Sequence, residues 1–309
     1  MNVRPEPTPR WVRTALFIPA QRADFLEKSS ERGADAVILD LEDAVAEPGK
    51  ASARDTASAW LGGERHPTDP LVMARVNALG TGDLDADLTA VVGPHLHAVL
   101  LPKITDAADV VELSERLAWF EGRAGLEQGQ VRIWPIIETA AAIENVAAIA
   151  RSSPRVAYLG GGTSEQGDLA RELGFEWSVA GTETLYVRSR VLVAARAAEV
   201  PNPMTGLVSG LADLNDVESF ALDARRLGYS GMMVIHPAHV PVVNAVFTPT
   251  DEAIAAARQV MGVLETAAVD GVGAVQHDGR MIDVAMARTA ERYVEEASRV
   301  VESTREERR

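Results

Sequence analysis

The sequence predicts an α/β fold, a (β/α)8 TIM barrel with a C-terminal helical extension. Three observations carry that reading. Short apolar runs alternate with amphipathic stretches along most of the chain. The runs are continuously apolar rather than alternating, as parallel strands covered on both faces are. Eight of them fit between residues 14 and 237, the number that closes a barrel. A doubly wound open sheet shares the same alternation, and periodicity does not separate the two.

The strands are expected at TALFIP (14–19), AVILDL (36–41), LVMARVN (71–77), HAVLLPK (97–103), VRIWPIIE (131–138), VAYLGG (156–161), TGLVSG (205–210) and MMVIHP (232–237). Helical periodicity fills RADFLEKSSERGA, DAADVVELSERLAWFEG, TAAAIENVAAIARSS and DVESFALDARRLGYSG between them. After MMVIHP, TDEAIAAARQVMGVLETAA and IDVAMARTAERYVEEASRVVES read as helices joined by a Gly-rich turn, DGVGAVQHDGR. That tail exceeds one barrel helix, so it should cover a surface of this subunit or of a neighbour. The expected division is a loose arm over 1–12, a catalytic barrel over 13–250 and a helical extension or lid over 251–309.

Composition narrows the function. At 309 residues, 47% hydrophobic and 24% charged, the chain can bury a large core. A net charge of -15 argues against a nucleic-acid or acidic-membrane surface. With no cysteine there is no disulfide, thiolate metal site or Cys nucleophile. The start, MNVRPEPTPRW, resembles no secretory signal, and no apolar run reaches the ~18 residues of a membrane span. A cytoplasmic protein is expected.

In a barrel, chemistry gathers at the C-terminal ends of the strands. Seven of the eight predicted strands carry a polar or charged group there: Arg22 after the first, Asp40, Glu42 and Asp43 after the second, Arg75 and Asn77, Lys103, Glu138, the Glu165 and Asp168 of GGGTSEQGD, and His236. Converging carboxylates without cysteine suit a hard cation, Mg²⁺ or Mn²⁺, held by oxygens. Glu138 and Asp168 are the candidate ligands, leaving positions for water and substrate. Both also suit a helix N-terminus, Glu138 through the dipole and Asp168 as a cap. Arg75 lies in an apolar run and needs a partner; it is either a structural ion pair or an electrophile beside the metal. His236 reads as a core histidine, Lys103 as a structural ion-pair partner.

Several strings together resemble the citrate lyase β-subunit-like, malyl-CoA lyase group of the HpcH/HpaI aldolase superfamily, over residues 13 to 295. They are RTALFIPAQRADFLEK, DAVILDLEDAVAEPGKASAR, ARVNALGTGDLDADL, LLPKI, PIIETAAAIEN, YVRSRVLVAARAAE and IHPAHVPVVNAVFTPT, with DGRMID in the tail. Ala20 stands where that family usually has Gly. The resemblance implies Glu138 and Asp168 as metal ligands, Arg75 at the keto-acid part of the substrate, and Glu42 and Asp43 holding metal-bound waters. Arg13, Arg22 and Lys28 fall where the family meets coenzyme A, and Asp283 matches an acid that handles the acetyl-carbon proton in an adjacent subunit. Two segments depart from the pattern. LGGGTSEQGD is longer than the family's turn, so Glu165 competes with Asp168 as ligand, and 200–217 matches less closely.

The implied activity is Mg²⁺-dependent C–C lysis, or formation, of a 3-hydroxyacyl-CoA such as malyl-CoA, citramalyl-CoA or citryl-CoA, giving an acyl-CoA and an α-keto acid. No Schiff-base lysine is needed. The rivals are a malyl-CoA thioesterase or malate-synthase-like enzyme, a citryl-lyase subunit fed by an acyl-carrier protein, a non-catalytic CoA-binding subunit, and a pyruvate aldolase without CoA. A homotrimer or hexamer with exchanged C-terminal segments is implied by resemblance alone.

Overall fold

A computed structural model describes residues 11–211, 213–269, 273–277 and 279–306. The chain divides into two compact units, one through Phe247 and one from Thr248. In the first, eight parallel strands close into a barrel: β1 (Thr14–Pro19), β2 (Ala36–Asp40), β3 (Leu71–Arg75), β4 (Leu96–Leu101), β5 (Arg132–Ile137), β6 (Tyr158–Gly161), β7 (Asn202–Thr205) and β8 (Gly231–Val234). Closure comes from β1 pairing with β8, Thr14 opposite Met232 and Leu16 opposite Val234. The helices of this unit are α1 (Ala23–Glu27), α2 (Lys50–Leu61), α3 (Leu84–Val91), α4 (Ala107–Arg123), α5 (Ala140–Arg151), α6 (Asp168–Leu173), α7 (Leu185–Ala197), α8 (Leu214–Leu227) and α9 (His239–Phe247). An open sheet is thereby excluded.

Alternation along each strand decides what reaches the barrel's mouth. One layer of core lies inside the barrel: Ala36 and Ile38 of β2, Met73 of β3, Ala98 and Leu100 of β4, Trp134 and Ile136 of β5. The intervening residues, such as Val37, Leu39, Val72, Ala74, Ile133 and Ile137, pack outward under the helices. With a period of two, the next inward positions are Asp40, Arg75 and Glu138. Three apolar series therefore each end in a charge on the same inner surface.

The seventh strand differs from expectation. It lies on Asn202–Thr205 rather than on TGLVSG. An apolar run was sought, but this strand is anchored by a polar side chain: Asn202 accepts from Val12 N–H (2.8 Å) and donates to the Val12 carbonyl (3.1 Å) and Ser230 Oγ (3.0 Å). The helix starts are well marked. Asp106 and Asp109 form a capping box on α4, and Thr139 accepts from Ala142 N–H (3.0 Å) to cap α5.

The second unit holds α10 (Asp251–Val269) and α11 (Val284–Glu306), packed on one another, with Leu264, Ala267, Ala290 and Ala297 buried. The Gly-rich turn expected between them is instead an antiparallel hairpin, β9 (Ala274–His277) and β10 (Arg280–Asp283). Gly279, at φ +75°, supplies the left-handed residue its turn requires. Of the expected arm over 1–12, only Trp11 and Val12 lie among the described residues, both buried.

Candidate active site

Asp40 and Arg75 stand opposite one another in the β2–β3 register. Arg75 Nε donates to Asp40 Oδ1 at 2.8 Å, and a second guanidinium nitrogen bonds Oδ2, a two-pronged pair on an inner wall. The third nitrogen lies 3.1 Å from Glu42 Oε2. Burial opposes the guanidinium's charge, but Asp40, Glu42 and Asp43 outweigh it and hold Arg75 protonated above its ordinary range. The ion pair expected between Arg75 and one of the acids ending the second strand is present, and Asp40 is the acid that orients Arg75. The signal was available in the shared inward parity of the two positions.

Lys103 gathers the acids after β2. Its ammonium bonds Glu42 Oε1, lies 3.0 Å from Asp43 Oδ1 and 3.8 Å from Asp168 Oδ2. Its backbone adopts φ +54°, a conformation that costs a non-glycine residue about 1–2 kcal/mol. That turn lets its N–H donate to Glu138 Oε1 at 2.8 Å. One residue therefore fixes acids from β2, β5 and the loop after β6. Burial lowers an ammonium's pKa, yet Glu42 and Asp43 raise that of Lys103 on balance, so it is no candidate for an amine nucleophile.

Charge here is not balanced. Burial, aided by Asp43, raises the Glu42 carboxyl against the pull of Arg75 and Lys103. Burial would raise Asp43 too, but Lys103 and Arg75 prevail and lower it. Glu138, 8% exposed, is pushed up to about 7 by burial, with Glu42 and Asp168 adding to it and the Lys103 amide opposing. Glu42 Oε2 is buried and receives no directed hydrogen bond despite Arg75 beside it.

These carboxylates border a cleft lined by Asp43, Arg75, Glu138 and Asp168, with Phe17 and Met233 among its apolar walls. Neither candidate ligand makes a helix-capping hydrogen bond. Thr139, not Glu138, caps α5. Asp168 is the first residue of α6 after Gly167, and no side chain makes a capping bond there. Glu165 is exposed and takes Ser209 Oγ–H at 2.7 Å; it does not line the cleft, whereas Asp168 does. Gly162 faces Glu138 so closely that a Cβ there would lie 3.0 Å from Glu138 Cβ.

Two hard oxygen donors beside a raised carboxyl fit a divalent cation such as Mg²⁺, which would discharge the surplus. Among the described residues no three His, Asp or Glu side chains form a closed metal cage. Glu138 and Asp168, which both line the cleft, are the residues that could hold such a cation.

Other expected residues fall elsewhere. Arg13 is not brought to this end: it precedes β1, and its guanidinium and backbone N–H are bonded to Asp35 (2.6–2.8 Å) at the opposite mouth. Arg22 follows β1 at the cleft end, exposed, with Asp24 (2.8 Å) and its guanidinium 3.6 Å above the Phe25 ring. Lys28 is exposed at the end of α1. Asp283 ends β10, and its Oδ1 accepts from Met286 N–H (2.9 Å) at the start of α11. His236 is only half-buried, with Nδ1 accepting from Ala238 N–H (3.2 Å); the buried histidine is His239. The expectation of a core histidine was three residues early, because the IHP string stands outside the strand it seemed to end.

A profile of the HpcH/HpaI aldolase/citrate lyase family matches residues 13–237. The chain is 35% identical to a citrate lyase subunit beta-like protein of Deinococcus radiodurans, over 91% of this chain and 96% of that one. It is 32% identical to the L-malyl-CoA/beta-methylmalyl-CoA lyase of Cereibacter sphaeroides, over 97% and 98%. Its fold is similar to that of CitE from Mycobacterium tuberculosis in complex with magnesium, acetoacetate and coenzyme A: TM-score 0.73, 30% identity, 93% of this chain and 98% of that one.

Proposed function

This chain belongs to the HpcH/HpaI aldolase/citrate lyase family, and from that premise we propose that it is a Mg²⁺-dependent carbon–carbon lyase of coenzyme A esters. Its substrate is a 3-hydroxyacyl-CoA of the malyl-, citramalyl- or citryl-CoA kind, and its products are an acyl-CoA and an α-keto acid. The observation that carries this reading is the surplus of carboxylate around Glu138 and Asp168 beside a half-buried, acid-locked Arg75. One named relative is a lyase of malyl-CoA and beta-methylmalyl-CoA, and the similar structure was solved with both magnesium and coenzyme A.

Cleavage breaks the bond between C2 and C3 of the thioester. The C3 hydroxyl loses its proton and becomes the keto group, and the bonding pair passes to C2 as the thioester enolate. C2 then takes up a proton. Glu138 and Asp168 would hold Mg²⁺, which when bound would supply Lewis-acid chemistry and a template for the substrate. Arg75, preorganised by Asp40, stabilises negative charge developing on the C3 oxygen. The hydroxyl proton passes to the carboxylate cluster, where Glu42 Oε2 lacks a directed hydrogen bond of its own. Lys103 keeps Glu42, Asp43 and Glu138 in register. Asp283 of an adjacent copy delivers the proton to C2, or removes it in the synthetic direction. Arg22 and Lys28 meet the phosphates of coenzyme A.

The test is incubation with Mg²⁺ and malyl-, citramalyl-, methylmalyl- and citryl-CoA, following products by mass spectrometry with Glu138→Ala as control. Equimolar acyl-CoA and keto acid, absent from the control, is the expected result. Free CoA with intact hydroxy acid would move the assignment to a thioesterase.

A further inference from the structure

The two segments that depart most from the family's sequence pattern, 159–168 and 200–217, meet on one wall of the cleft. The first contributes Gly162, Ser164 and Gly167, the second Gly206 and Leu207. They are fastened together: Ser209 Oγ donates to Glu165 Oε2 at 2.7 Å. A Cβ at Gly206 would come within 2.7 Å of Thr163 Oγ1 and 2.9 Å of the Gly161 carbonyl, so the two loops touch with no space for a side chain. Their departures from the pattern are thus one change, made in one place.

Apart from Asp168 at its end, an acid, this wall lacks charge, and it offers no cation. Its other members are glycines, a serine and a leucine, continued by the apolar Ile136 and Met233. Among the described residues lining the cleft, Arg75 is the single cation, and Asp40 and Glu42 already engage it. The other charged lining groups are Asp43, Glu138 and Asp168. A cation held by Glu138 and Asp168, together with Arg75, can answer one substrate carboxylate. The neighbouring Lys103 ammonium is already engaged by Glu42 and Asp43. A second carboxylate would be set among glycines and apolar side chains, with acids nearby and no uncommitted cation lining the cleft, which burial of a charge does not tolerate.

We infer that the Ser164–Leu207 wall selects an α-keto acid with one carboxylate and a hydrogen or small apolar substituent on its keto carbon. The substrate is then a 3-hydroxyacyl-CoA with a single free carboxylate, as in malyl- or citramalyl-CoA, and citryl-CoA is rejected. This rests on the lyase reading above and narrows it.

The experiment compares kcat/KM of the full chain with Mg²⁺ for malyl-, citramalyl- and citryl-CoA. The better of the first two should exceed citryl-CoA by about 100-fold or more, the scale on which a site rejects a group whose polar needs it cannot meet. Citryl-CoA within tenfold of the best substrate would overturn the inference while leaving the lyase reading standing. If no thioester is cleaved, the lyase reading fails, and Mg²⁺-dependent binding of pyruvate against oxaloacetate by calorimetry decides the wall separately. Tighter pyruvate binding supports it; equal or tighter oxaloacetate binding overturns it. Leu207→Arg should raise citryl-CoA turnover relative to citramalyl-CoA at least tenfold, and Ser164→Arg serves the same purpose should the first variant not fold. An unchanged ratio in a folded variant would show that these positions do not select.

Discussion

Both mouths of the barrel hold arginines paired with acids, and they are finished differently. At the N-terminal mouth, Glu121 Oε1 accepts from Val131 N–H (2.7 Å) and Arg155 (2.8 Å), and Oε2 from Gly129 N–H (2.9 Å) and Arg155 (2.7 Å). Burial would raise that carboxyl, but Arg155 and the two amides outweigh it and lower it. At the C-terminal mouth, five acids gather around Arg75 and Lys103, with only the exposed Arg171 added on Asp168, Glu42 Oε2 lacks a directed donor, and Glu138 is pushed up to about 7. A completed pair holds the fold; a surplus of one sign, kept buried, prepares a place for a ligand.

The sharpest break between the two is by substitution. Glu138→Gln should lower kcat by about 10³-fold while leaving the melting temperature unchanged or higher, since it removes an uncompensated charge. Arg155→Ala should do the reverse. It leaves Glu121 buried without its cation and with only the two amides, costing about 3–5 kcal/mol of stability, with turnover per folded molecule unchanged. Chemical denaturation alongside steady-state kinetics checks both. Loss of stability in Glu138→Gln without loss of activity would make the upper cluster structural. Next in size, Arg75→Lys keeps the charge but loses the fork that grips Asp40, and kcat should fall about 10²-fold. Full activity in Arg75→Lys would mean that only charge matters there.

The barrel was legible in the sequence wherever an apolar run ended in a charge. Ile38 then Asp40, Met73 then Arg75, and Ile136 then Glu138 carry both the strand and its inward parity. It was not legible at β7, where Asn202 does by side chain what apolar packing does elsewhere. Nor did the tail's pattern disclose β9 and β10, although the Asp-Gly pair at 278–279 is a hairpin signal. Arg13 reads like its neighbours in the motif, yet one position before a strand rather than after it means the other mouth. Which residues line the cleft from the loops after β6 and β7 depends on how those loops fold back, and spacing carries no such information.

Acidity distinguishes the two mouths with opposite signs. Glu121, with its carboxyl lowered, contributes stability that is present above the ordinary value of 4.5 and lost as pH falls through its lowered value. Glu138, raised to about 7, favours the fold in its protonated form, a contribution present below 4.5 and lost as pH rises through about 7. A cation takes the proton's place. Apparent Mg²⁺ affinity should therefore drop about tenfold from pH 6.5 to pH 5.5, and Mg²⁺ should raise the melting temperature more at pH 8 than at pH 6. An affinity flat across this range would remove Glu138 from the site. The smallest expected effect is that of Gly162→Ala, whose methyl crowds Glu138 and should weaken Mg²⁺ by roughly tenfold without unfolding the barrel.

The most direct measurement is calorimetric titration of Mg²⁺ into the wild type, Glu138→Gln, Asp168→Asn and Glu165→Gln at pH 8. Binding should vanish in the first two variants and persist in the third. Binding that survives in Asp168→Asn, or disappears in Glu165→Gln, would contradict the site described here.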